Sequence, residues 1–193
     1  MNRNVAVAGG ALGLVLLIAG GSVIGGAAGA AVARDAAIST ARVLGADQAR
    51  ADRLPAAFPA EWHGTGGIDR STSHLLGVQN ETRYWIALDR ASNICVLAQS
   101  LSRPEETAAS CSSPGDLELR GGSLRVDAGT WKVEAFLLPD SADASRLSGP
   151  WTRVADNLVT YTGTGASSSI ELQRDAGSSG APLTLTREPA PGR

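Results

Sequence analysis

The chain has few of the groups on which catalysis and metal chemistry depend. It contains two histidines, His63 and His74, and two cysteines, Cys95 and Cys111. No C-x-x-C or H-x-x-x-H pair presents ligands together, which argues against a zinc site. No Walker A, Rossmann or EF-hand pattern is present, so no cofactor or metal is expected. No cysteine stands just after the long hydrophobic run, and this excludes a lipoprotein anchor. Lysine occurs once, at Lys132, against sixteen arginines, and the net charge is −2. Without a basic stripe there is no electrostatic footprint for nucleic acid. Aromatics make up only 4% of the chain, yet Tyr84, Trp85, Trp131, Phe136, Trp151 and Tyr161 fall in one stretch, where a core is expected.

What is present begins at the N-terminus. Residues 5–33, VAVAGGALGLVLLIAGGSVIGGAAGAAVA, carry no charge and end at Arg34-Asp35. About 20 apolar helical residues cross a bilayer, so this run suffices for a transmembrane signal anchor. Signal-peptide cores run about 7–15 apolar residues, and the length therefore favours an anchor. Cleavage after Ala31-Val32-Ala33 and secretion is the alternative. Arg3 precedes the span and Arg34, Arg42, Arg50 and Arg53 follow it, so charge near the ends does not favour an inside amino terminus. Long domains translocate largely regardless of charge, and a disulfide needs an oxidising compartment. The expected topology is residues 1–4 in the cytoplasm, one span, and the rest outside the cytoplasmic membrane. Gly21, Gly25 and Gly29 recur every four residues, a small-xxx-small face on which two membrane helices can pack.

Residues 34–73 read as a helical stalk followed by a Pro/Gly-containing connector, with Pro55 and Pro59 ending the stalk. Residues 74–188 read as an antiparallel β-rich domain. RYWIALD (83–89) and NICVLAQ (93–99) form a hairpin, and the second run, apolar on both faces, suggests a covered central strand. SRPEETAAS (102–110) has capping-box spacing between Ser102 and Glu105 and predicts one short helix. LELR (117–120), SLRVD (123–127) and TWKVEAFLLPD (130–140) alternate with period two, predicting strands with one wet face and a Gly121-Gly122 hairpin loop. Three weaker strand candidates follow at 157–163, 167–173 and 182–188, and residues 189–193 read as a disordered tail. The fold class is α+β: an N-terminal transmembrane helix, then a small antiparallel sheet with one short helix. Two cysteines sixteen positions apart in an exported domain read as one disulfide, contributing about 3 kcal/mol. The alternative is two buried thiols acting as small hydrophobes.

Four motifs, ADRLP (51–55), DRSTSHLLG (69–77), YWIALDRASNICVLA (84–98) and FLLPD (136–140), carry a resemblance over residues 5–140. In their order the chain resembles small single-pass membrane proteins of actinobacteria with no assigned function. The resemblance implies export and Cys95–Cys111 pairing, and implies no activity.

Candidate chemistry is thin. His63 and His74 flank Asp69, Ser71 and Ser73, from which a Ser/His/Asp hydrolase could be drawn. No G-x-S-x-G elbow supports it. Glu105-Glu106 reads as a helix first turn, and Asn80-Glu81-Thr82 as an idle glycan acceptor. The expected function is a non-catalytic, envelope-facing binding or interaction module. An envelope hydrolase, or an accessory subunit acting through its membrane helix, is the alternative. The partners implied are the lipid bilayer and a second membrane or envelope protein.

Overall fold

A computed structural model describes residues 25–59, 67–163, 168–175 and 180–187. Most of the uncharged run, with Gly21, lies outside the described residues, as do His63 and the tail. Among the described residues no helix is long and apolar enough to cross a membrane. The domain is mostly antiparallel sheet with two α-helices, the coarse class read from period-two alternation.

Helix α1 (Gly25–Thr40) runs through Arg34 and Asp35 without a break, and short 3-10 turns follow at Arg42–Gly45 and Arg50–Asp52. Its C-terminal end belongs to the core, because Ala37, and Ala41 just past the helix, are fully buried. The chain leaving it is pinned by Asp140. The Asp140 amide donates to the Thr40 carbonyl at 2.9 Å, and its carboxylate accepts the backbone amide and Nε of Arg42, each at 2.8 Å. Asn157 Nδ2 donates to the other carboxylate oxygen at 2.5 Å.

The first sheet contains β1 (Ile68–Gln79), β2 (Thr82–Asp89), β3 (Ile94–Ser100) and β4 (Thr107–Ser112) in spatial order. Asn80 and Glu81, both with positive φ, make the tight turn between β1 and β2. β3 is buried along its whole length because both of its faces are covered. On the inner face Tyr84, Ile86, Leu88, Ile94 and Val96 pack against the second sheet. On the outer face Trp85, Cys95 and Leu97 lie under Leu54 and Phe58. Phe58 meets Trp85 edge-on, with ring centroids 5.4 Å apart.

The second sheet takes the order β5 (Gly122–Ala128), β6 (Trp131–Leu137), β9 (Leu158–Tyr161), β8 (Trp151–Ala155). β4 runs against β5 and β1 against β8, so the two sheets meet at both edges. β7 (Ala142–Asp143), β10 (Ser168–Arg174) and β11 (Leu183–Arg187) form a third sheet. It covers the far side of β6 and β9 through Phe136, Trp151, Tyr161, Leu172, Leu183 and Leu185. The weaker strand candidates thus divide, the first joining β6 and the last two building the third sheet. The wet face expected for β6 is correspondingly dry at Phe136, and at Leu138 just beyond the strand.

Two local assignments require correction. The helix expected at 102–110 is a tight connection followed by strand β4. The Ser102 hydroxyl bonds Ser100 Oγ at 3.1 Å, and Glu106 returns its carbonyl to the Ser100 amide, so cross-strand pairing with β3 prevails over capping. The strand expected at 117–120 is instead helix α2 (Pro114–Arg120). Ser113 Oγ accepts the Asp116 amide at 3.1 Å, Pro114 occupies the first turn, and Arg120 pairs with Asp116 four residues back at 2.5 Å. The Ser113 hydroxyl and then Arg120 hold the Asp116 carboxyl below its usual range. Leu117 is buried and Leu119 is exposed, which is helical, not strand, placement. Gly121, at φ +72°, therefore closes a helix and does not turn a hairpin. Arg174 fixes α2 to the third sheet, donating to Glu118 Oε1 at 2.7 Å and Ser141 Oγ at 2.6 Å.

Candidate functional site

Functional groups gather where β1 departs from regular pairing. Asp69 lies opposite Leu88 and His74 opposite Ile86, so four residues between them on β1 face one on β2. Such a bulge cannot satisfy its backbone through the ladder and must do so with side chains. Thr72 Oγ1 accepts the Leu88 amide at 2.8 Å and donates to the Asp69 carbonyl at 2.7 Å. Asp69 Oδ1 accepts both the amide and the hydroxyl of Ser71, at 3.1 and 2.6 Å.

The segment 41–59 lies over this bulge as a strap, held by polar contacts. Arg70 donates to the carbonyls of Leu54, Pro55 and Phe58 at 2.6 to 2.9 Å. Gln48 Nε2 donates to the carbonyls of Arg70 and Ser73 at 2.8 and 3.0 Å. Asp52 Oδ1 accepts the Leu75 amide at 3.0 Å, while Asp52 Oδ2 accepts the Ala49 amide at 2.7 Å and lies 3.6 Å from His74 Nδ1. The ADRLP and DRSTSHLLG stretches are two halves of this one interlock.

The geometry separates the members of the supposed triad. Ser71 is committed to Asp69, buried His74 faces Asp52, and Ser73 Oγ donates to the Asp52 carbonyl at 2.8 Å. No described hydroxyl is presented to the His74 ring. His63 lies outside the described residues.

Cys95 and Cys111 stand directly opposite each other on β3 and β4, bonded at 2.02 Å with Cα atoms 4.0 Å apart. Ligand atoms of Asp89, Cys95 and Cys111 lie within 4.8 Å of one another. They are already engaged. The sulfurs bond each other, and Asp89 accepts the Ala91 amide, the Asn93 amide and Asn93 Nδ2, each at 2.8 Å. Glu105 is exposed and Glu106 pairs with Arg103 at 2.7 Å, so neither caps a helix. Of the spaced glycines, Gly25 opens α1, and a Cβ at Gly29 would meet nothing within 4 Å.

Beside the bulge, α1 and the β2–β3 turn enclose a cleft of about 620 Å³ with Arg34, Asp69, Arg70, Asp89 and Arg90 on its walls. Arg34 lies 3.9 Å from Asp69. In the sequence only Arg34 of this cluster carries a signal, as the first charge after the uncharged run.

Compared with protein-family models, curated proteins and solved structures, the chain matches none of them.

Proposed function

We propose that this chain is a membrane-tethered domain on the extracytoplasmic side of the cell membrane, acting as a non-catalytic binding or interaction module. The observation that carries the reading is the Cys95–Cys111 pair, joined across adjacent strands with Cys95 fully buried. Such bonds persist in oxidising compartments. The uncharged residues 5–33 supply the tether, and the resemblance to small single-pass actinobacterial membrane proteins agrees with it. Residues 28–32 of α1 are exposed, Val32 by 69%, which suits a helix emerging from lipid. The non-catalytic part rests on the polar groups of the bulge. The Ser71 hydroxyl is engaged by Asp69 within the bulge, and Ser73 and Asp52 are engaged in holding the strap. The bilayer is one partner, and a second envelope or membrane protein is the other.

Fusion of reporters after Arg193 of the full chain tests the topology. Alkaline phosphatase, which needs export, should be active, and a fluorescent protein that matures only in the cytoplasm should stay dark. The opposite pattern overturns the reading. Ser71→Ala tests the rival hydrolase, since loss of an envelope hydrolytic activity in a folded variant would favour that class.

A further inference from the structure

One stripe of α1 runs through Ala30, Arg34 and Ala37, positions three and four apart, and Ala41 follows just past the helix end. At Ala37 and Ala41 it is buried in the core, and toward the N-terminus it leaves the sheet. There Ala30, Ala31 and Arg34 form one wall of the 620 Å³ cleft, and Asp69, Arg90 and Ser92 stand on the other side. Arg34 is the first charge after the uncharged residues 5–33. On the tethered reading it therefore lies where hydrocarbon gives way to headgroups.

The charges in the cleft are unequal in availability. Asp89 is saturated by three N–H donors of its own turn. Asp69 gives one oxygen to Ser71 and the other to Arg34 at a loose 3.9 Å. Arg70 spends its donors on the strap carbonyls. Arg90 is exposed and has no carboxylate partner among the described residues. Three arginines against two carboxylates leave one net positive charge.

We propose that this cleft holds the phosphate of an anionic phospholipid headgroup, with Arg34 and Arg90 as its charge partners and the Ser92 hydroxyl as a further donor. The proposal rests on the tethered reading, and the lipid is favoured over a soluble phosphate because the cleft wall is the emerging helix itself. Arginine is suited to the task, since its planar fork meets phosphate oxygens in pairs. Such binding would set the domain's tilt on the membrane, because α1 is clamped to it through Asp140.

The test is native mass spectrometry of the full chain released from nanodiscs of equal phosphatidylglycerol and phosphatidylcholine. Wild type should retain phosphatidylglycerol selectively. Arg34→Gln and Arg90→Gln should each lower that retention about fivefold, whereas Arg146→Gln should not change it. Both arginines are exposed, so the variants keep the fold, checked by their circular dichroism. Equal retention of the two lipids, or retention unchanged in both variants, overturns the proposal. So does inorganic phosphate alone binding the lipid-free chain as tightly as the lipid does, which would make this a soluble-phosphate site. A native protein that lacks residues 1–33 defeats the tether by its mass, while the lipid preference of the full chain is read separately.

Discussion

Thr82 is a single buried hydroxyl that joins two sheets. It accepts the Trp131 indole N–H at 3.0 Å, from β2 to β6, with both residues buried. Thr82→Val keeps the shape and strands that N–H, so urea unfolding should show a loss of about 1 to 3 kcal/mol, largely restored by Thr82→Ser. Tyr84, two residues on, carries a pH signature. Burial pushes its phenol up from 10 to about 12, against a smaller lowering by Thr82. The folded state thus keeps a proton that the unfolded chain has released. Stability is unaffected below pH 10 and falls as pH rises toward 12, by about 2 to 3 kcal/mol. Tyr84→Phe should remove that alkaline limb in a melting series across this range. Neither role is legible in the sequence, because Thr82 meets Trp131 only after two sheets have packed.

Elements differ in how far local pattern decides them. The β2–β3 and β5–β6 hairpins follow from alternation and turns, which are short-range. The stretch 102–120 misled for the opposite reason. A capping-box spacing at Ser102 was overruled by pairing with β3, and L-E-L-R suits one helical turn as well as a strand. The Ser113-Pro114-x-Asp116 start was the legible signal that decides the second case. Ser113→Ala should cost about 1 kcal/mol through the lost cap, read by thermal melting. Loss of the cross-strand bond in Cys95→Ala/Cys111→Ala should cost about 3 kcal/mol in denaturant, and reduction of wild type should reproduce most of it. The strap depends on Arg70. In Arg70→Met three carbonyls lose a charged donor, and hydrogen exchange should quicken across residues 41–59 while β3 stays protected.

At the scale of the molecule, the sequence motifs that suggested a kinship turn out to be joints. ADRLP locks onto DRSTSHLLG through Asp52, and the Asp of FLLPD anchors the end of α1. The antiparallel class was legible because alternation is a one-residue property of the chain. The division into three sheets was not, since it depends on which faces of β6 are covered by residues 30 to 50 positions away. The charged cleft is not legible in the sequence for a similar reason, its arginines being brought together by the docking of α1. The central claim is an oxidised, tethered domain outside the cytoplasm. Its most direct test is the intact mass of the native protein from its own membrane, before and after reduction. The account predicts a full-length chain that gains about 2 Da on reduction as Cys95 and Cys111 take up two hydrogens. A full-length chain with no gain in mass would contradict the outside location, and a chain lacking residues 1–33 would contradict the tether.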